Sequence, residues 1–406
     1  MSSVPPDPDT PTPEAAATST VAARIALKQR AGGIAVPAVT VVLAFLMGGL
    51  VVLATGHNPL LAYRDIFNGA GLNWIFHPTT NLVSTSAYNL SQTLLQTTTL
   101  ILCGLAVAFA FRCGLFNIGG QGQYFVGLFV ATWLGVDFAG LNPVLHILLC
   151  VVAGTLAGAV WAGIAGFLKA TVGAHEVITT IMLNWIAIWV GSWLFGAGGP
   201  LQNSANKSIP ISNDIADSAK LPVIWGEQQL QGLHIGIFVA LAALVVFWAV
   251  LNRTTVGYEV RAVGFNAEAA AYGGINVKKN VIRAMAISGA FAGLAGALDV
   301  TGYLYHYGQS DIPFSSVGFL GIAVALLGRN TAAGVGLGAL LFGALLFGTT
   351  HGLTSSVIQP ELAGNLTYII EGLVVLFIGA DVLILYVWNT RRKLRPRRAR
   401  AGKTTA

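Results

Sequence analysis

Runs of about 20 apolar residues recur along this chain, and that is the length of helix needed to cross the hydrocarbon core of a bilayer. They fall at roughly 34–55, 88–111, 122–140, 143–168, 177–197, 233–251, 281–303, 314–328, 332–352 and 365–388. Only 9% of the residues are charged, against about 25% in a soluble domain, which excludes a large soluble α/β enzyme. The expectation is an all-α polytopic membrane protein of about ten transmembrane helices.

Charge sets the expected orientation. Arg24, Lys28 and Arg30 precede the first run, and basic flanks favour the cytoplasmic side. An even number of spans then puts both termini in the cytoplasm. Of the 22 Lys and Arg residues, only Arg64, Lys207 and Lys220 fall outside in that arrangement. Residues 1–30, opening on a stretch rich in Pro, Thr, Ala and Asp, read as a disordered cytoplasmic tail. Residues 31–390 form the transmembrane domain. Residues 391–406 form a basic cytoplasmic tail suited to anionic membrane lipid. No aromatics interleave those charges, so nucleic-acid binding is not expected.

One stretch departs from the apolar pattern at membrane depth. Residues 111–124 hold one Arg, one Asn, two Gln and four Gly. Such a break is tolerable in lipid only if protein buries it or it borders a watery path. Asn117, Gln121 and Gln123 are candidates for a solute path, since uncharged amides can bond to hydroxyls or base edges. The alternative is that they cap the ends of a broken helix. Phe116 and Tyr124 can stack on a solute or pack. A weak internal echo links 115–128 with 313–327, both Gly-punctuated beginnings of a span. The glycines of the fourth, seventh and ninth runs, Gly154, Gly158, Gly289, Gly293 and Gly338 among them, read as close helix packing.

Catalytic signatures are missing. There is no His-Glu-x-x-His, no Gly-x-Ser-x-Gly and no phosphate-binding Gly-x-x-x-x-Gly-Lys-Ser/Thr. Cys103, Cys113 and Cys150 are odd in number and match no metal spacing. No cofactor, metal or enzymatic activity is expected. His175 and Glu176 stand near the inner face, where capping or gating is favoured over a proton relay; Glu176 meets the positive end of the next helix. Asn184, two turns further on, faces either a path or a neighbouring helix. Asp299, Glu371 and Asp381 lie in or beside apolar runs, where carboxylates usually face a cavity or partner.

The segment 252–280 is the longest inner polar loop. Ala267 to Tyr272 is a strong helix former between Asn266, a good N-cap, and the Gly273-Gly274 stop, with Glu268 in its first turn. A short helix parallel to the membrane is expected there, serving either as a solvated connector or as a dock for a soluble motor.

Phe116-Asn117-Ile118-Gly119-Gly120-Gln121-Gly122-Gln123 resembles the Phe-Asn-Ile-Gly-x-Glu-Gly-Gln signature of the inner-membrane permeases of ABC importers in the branched-chain amino acid, ribose and simple-sugar superfamily. The segment from His175-Glu176-Val177-Ile178 to Asn184, the loop from Gly257 to Val277, and residues 313–328 resemble three further motifs in the same order. The His-Glu-Val-Ile segment is closest to the nucleoside-type branch. Gln121 departs from the family, which often carries Glu there. The resemblance implies a multi-pass permease subunit of the inner (plasma) membrane that translocates nucleosides or related simple sugars. It implies as partners ABC ATPase subunits, a second permease subunit that is more often non-identical, and an extracytoplasmic solute-binding lipoprotein. ATP hydrolysis would occur in the ATPase partner, and 252–280 would be the coupling loop, with Gly257, Arg261, Gly264, Asn266, Glu268, Ala269, Ala270 and Gly274 as its contact residues. The competing reading is a self-contained secondary transporter driven by H⁺ or Na⁺.

Overall fold

The computed structural model describes residues 37–353, apart from 79–80, 82–83, 206, 228–229 and 315, together with 365, 368–370, 372–373 and 376. The expected tails, most of the tenth run, Glu371 and Asp381 lie outside the described residues.

Thirteen α-helices follow one another among the described residues. They are α1 (Pro37–Ala54), α2 (Pro59–Gly69), α3 (Thr85–Arg112), α4 (Gly120–Asp137), α5 (Pro143–Val172), α6 (Glu176–Phe195), α7 (Gly236–Arg253), α8 (Thr255–Phe265), α9 (Ala267–Tyr272), α10 (Val277–Asp299), α11 (Asp311–Phe314), α12 (Val317–Leu327) and α13 (Ala332–Gly352). Seven are long and apolar enough to cross a membrane: α1, α3, α5, α6, α7, α10 with its π-helical extension Val300–Leu304, and α13.

Local chemistry sets many of the boundaries. Asn58 and Asn142 cap α2 and α5 just before Pro59 and Pro143, which need no N–H bond at that position. Asn266, Asn276 and Thr331 cap α9, α10 and α13. Gly173, in the left-handed region at φ 71°, ends α5.

Two expected spans are not ordinary ones. With 11 residues, α12 extends only about 16 Å, half of a core about 30 Å thick. α4 has 18 residues, but its first turn is Gly120-Gln121-Gly122-Gln123.

The centre of the bundle is α3, most of which is buried, against α10, α12 and α13. α10 also packs closely on α5 and α4. Glycines make that approach possible. A Cβ at Gly158 would lie 2.4 Å from the Gly289 carbonyl oxygen, and one at Gly127 would lie 2.4 Å from that of Gly293. The packing reading holds for Gly154, Gly158, Gly289 and Gly293, while a Cβ at Gly163 would meet nothing within 4 Å. Large apolar side chains stay exposed on the outer faces of α1, α5, α6 and α7, such as Leu50, Leu156, Trp189 and Val245, as expected where helices meet lipid or a partner.

At the end opposite α8 and α9, the described residues of 196–235 form an ordered cap rather than a plain polar loop. A short antiparallel pair, β1 (Val223–Trp225) and β2 (Leu233–His234), lies within it. Ala216 N donates to Gly135 O at 2.8 Å, and Leu221 N to Thr301 O at 2.8 Å, which fasten the cap to α4 and to the α10 extension.

His234 is the most buried titratable group of this cap. It accepts a bond from Gly236 N at 3.1 Å through Nδ1, so the neutral ring carries its proton on Nε2. It stacks on Tyr303, with Gly302 against the ring. Burial lowers its pKa from 6.5 to about 4. Protonation is therefore penalised in the folded state. Stability from this residue is complete above pH 6.5 and falls as pH drops toward 4. The thermal midpoint of detergent-solubilised protein should decline over that window, and His234→Gln should flatten the decline. An unchanged profile in the variant would contradict this.

Candidate functional site

α3 ends at Arg112, and the chain turns back into the bundle through Gly114 at φ 74° before α4 begins. The turn-back brings the break to considerable depth. Asn184, which binds it, is eight residues into α6, or about 12 Å from that helix's start. Ser288, its other neighbour, is eleven residues into α10, or about 16 Å. The 117–123 part of the break therefore sits near mid-membrane, while its Arg112 end stays at the end of α3.

Asn117, Gln121, Gln123 and Asn184 are all buried. Asn117 Nδ2 donates to Gln123 Oε1 at 2.9 Å and to Ser288 Oγ at 2.7 Å. Asn117 Oδ1 accepts from Gly119 N at 2.8 Å and from Gln123 Nε2 at 3.0 Å. Ser288 Oγ in turn donates to the Ala106 carbonyl of α3. Asn184 Oδ1 accepts from Gly122 N at 2.8 Å, and its Nδ2 donates to Ile118 O at 2.9 Å. The amides thus satisfy backbone that the break leaves without helical partners. Phe116, half-buried, packs edge-on against Phe111.

The first turns of α4 and α12 meet. Gln121 Oε1 accepts from Gly318 N at 2.7 Å, and a Cβ at Gly318 would lie 2.3 Å from Gln121 N. From that meeting point α12 descends to the Arg112 end, where Arg112 Nη2 donates to Asn330 O at 2.6 Å. α4 rises to the cap. The two Gly-punctuated stretches that echoed each other in sequence are thus in contact, as two helices that begin together and run apart.

The α8–α9 elbow touches this junction from below. The expected helix Ala267–Tyr272 is present as α9. Asn266 Oδ1 accepts from Ala269 N at 3.0 Å, and Gly274 lies at φ 83°. Glu268 and Ala269 are exposed, and Ala270 is buried. α8 is additional to the expectation. Thr254 caps it, and Gly257 lets it fold back on α7, since a Cβ there would lie 2.1 Å from Val250 O. Gly264 packs on the break itself: a Cβ would lie 2.3 Å from Arg112 O and 3.0 Å from Gly114 N. Arg261 is half-buried on a flank of α8, and its Nε donates to Gly257 O at 3.3 Å. Phe265 and Tyr272 are 91% and 99% exposed, an aromatic surface on polar helices that sequence reasoning missed. The signal available was an aromatic at the end of each short helix.

His175 is exposed at the start of α6, and Glu176 pairs with Lys169 of α5 at 2.9 Å. The pair staples the α5–α6 turn. Asp299 is buried where α10 passes into its π-helical extension. Thr99 Oγ1 donates to Asp299 Oδ1 at 2.6 Å, and Tyr124 OH to Oδ2 at 2.7 Å. Tyr303 also lines an open pocket of about 750 Å³ at the surface of the cap, with Asp214, Asp217, Lys220, Glu227 and His306. That volume is in the range of sites for small organic ligands. Lys220, 2.6 Å away, holds the Asp217 carboxyl below its usual range. Among the described residues no cluster of His, Cys, Asp and Glu has the arrangement of a metal site.

Residues 89–379 match the family described as branched-chain amino acid transport system / permease component. The guanosine ABC transporter permease protein NupP of Bacillus subtilis is 37% identical over 373 residues, covering 90% of this chain and 98% of the relative. The glucose ABC transporter permease protein TsgB13 of Haloferax volcanii is 33% identical, covering 84% and 86%. A second guanosine permease of B. subtilis, NupQ, is 28% identical over 62% of this chain and 77% of its own. No solved structure matches.

Proposed function

This chain belongs to the permease-component family of branched-chain amino acid transport systems, and on that premise we propose that its solute is a nucleoside. It is the membrane-spanning permease subunit of an ABC importer. The observation that carries the solute class is similarity to a guanosine permease along nearly that relative's whole length. The family gives no support to the secondary-transporter alternative.

In this reading ten spans place both termini, including the tails 1–30 and 391–406, in the cytoplasm, with 31–390 as the permease domain. A solute-binding lipoprotein delivers cargo to the capped end, where the open pocket beside Tyr303 receives it. Two ATPase subunits dock at α8 and α9, through Glu268, Ala269 and the exposed rings of Phe265 and Tyr272. The second permease is a different chain, a reading favoured by the existence of both NupP and NupQ in one organism. Gly264 passes ATPase motion to the break. The amides at 117, 121, 123 and 184 border the solute path and hold its walls, and His175 with Glu176 keeps α5 and α6 together during gating.

Docking is tested by Ala269→Arg, which sets a bulky charge in the centre of the α9 surface. ATPase recovered with the permease should fall roughly tenfold, the effect of about 1.4 kcal/mol, with membrane insertion unchanged. Wild-type recovery would remove α9 from the dock. Solute class is tested by uptake of labelled guanosine into cells expressing the importer. Unlabelled nucleosides should compete and glucose should not; competition by glucose alone would shift the assignment to sugars.

A further inference from the structure

We infer that a small cavity between α3, α7, α8 and the α12–α13 turn binds the phosphate group of an anionic phospholipid. The inference rests on the reading that the α8–α9 end faces the cytoplasm. The cavity measures about 150 Å³ and is lined by Arg112, Arg261, Asn252, Asn330 and Trp248, among others. It lies well below the roughly 300 Å³ at which sites for drug-sized ligands begin, so it does not suit a nucleoside.

Two guanidinium groups share this space and repel one another. Arg112 donates through Nε and Nη2 to the Asn330 carbonyl, at 2.9 and 2.6 Å, and Nη1 has no partner among the described residues. Among the described residues Arg261 donates only through Nε. Neither meets a carboxylate among the described residues. The acid of α8, Glu259, is engaged elsewhere, accepting from Asn280 at 2.9 Å and lying 3.7 Å from Arg283. Two half-buried arginines with donors to spare match the oxygens of one phosphate.

The position identifies the source. Trp248, 47% exposed, stands at the cavity and continues the exposed apolar face of α7. Arg253 lies 5.3 Å over its ring. An indole beside a cation at the end of an apolar helix is the composition of a bilayer interface, and the cytoplasmic leaflet is the anionic one. Phosphate held here would link α8 to the ends of α3 and α12, next to the Gly264 contact.

The test uses the full purified importer in nanodiscs of phosphatidylcholine, with or without phosphatidylglycerol, and counts retained lipids by native mass spectrometry without solute or ATP. Failure of the nucleoside reading would leave this readout untouched. Wild type should retain phosphatidylglycerol roughly tenfold over phosphatidylcholine. Arg261→Gln should lose that preference, Arg261→Lys should keep most of it, and Arg253→Gln, outside the cavity, should keep it. No preference in wild type, or full preference in Arg261→Gln, overturns the assignment. Inorganic phosphate stabilising wild type but not Arg261→Gln in pure phosphatidylcholine, as strongly as phosphatidylglycerol does, assigns the site to soluble phosphate and overturns the lipid. Loss of ATPase from Arg261→Gln with lipid preference intact assigns Arg261 to the motor and overturns it as well.

Discussion

Asn117→Leu should lower both import and stability, because the side chain holds the break together at mid-membrane. The substitution removes bonds to Gly119 N, Gln123 and Ser288 at once. The leucine leaves the Gly119 N–H and the Gln123 amide, both buried, without partners, while Ser288 keeps its bond to the Ala106 carbonyl. Each buried group orphaned in this way costs about 1–3 kcal/mol, and no water is at hand in the bilayer core to replace the bonds. A combined loss of roughly 4 kcal/mol is expected on those figures. The thermal midpoint in detergent should drop by several degrees, and uptake should fall more than about tenfold even after correction for yield. A side chain that only touched solute would behave differently, losing uptake with the midpoint unchanged. Unchanged uptake and midpoint together would remove Asn117 from the junction.

Gly264→Val should separate hydrolysis from transport. At this position the clash is with backbone, the Arg112 carbonyl at 2.3 Å, so no side-chain rotation relieves it. Overpacking of this kind costs about 1–3 kcal/mol, and the nearest relief is for α8 to move off the break. The docking surface on α9 is left intact. ATPase should still co-purify and hydrolyse ATP, while uptake per ATP falls more than about tenfold. Wild-type uptake would show that the Gly114–Gly264 contact does not carry motion. Loss of the ATPase itself would place Gly264 in the dock rather than behind it.

The sequence revealed elements whose signals are local. α9 was readable because Asn266 and Gly273-Gly274 bracket six helix formers. α8 was hidden by its glycines. Gly257 and Gly264 weaken any helical signal, yet the structure uses them inside a helix for close approach to Val250 and Arg112. α12 was readable as a short span because its run at 314–328 stops at Arg329-Asn330, but the reason for its start was hidden. Its composition is that of any span, and it starts where it does because Gly318 meets Gln121, 197 residues away. The candidate site was partly readable. Polar residues in the break announced a special region, but their partners on α6, α10 and α12 come from 62 to 197 residues further along the chain. No periodicity encodes such pairings, which appear only in the geometry, where the amide atoms bond the backbone of the break.

Energy coupling is the most direct test of the account. The purified permease pair, with its ATPase and solute-binding lipoprotein, would be reconstituted in sealed vesicles and labelled guanosine uptake followed. Uptake should require ATP and the lipoprotein, fall more than about tenfold in Gly264→Val, and be indifferent to a protonophore. Accumulation without the ATPase, driven by an imposed proton or sodium gradient and abolished by the protonophore or by loss of sodium, would contradict it.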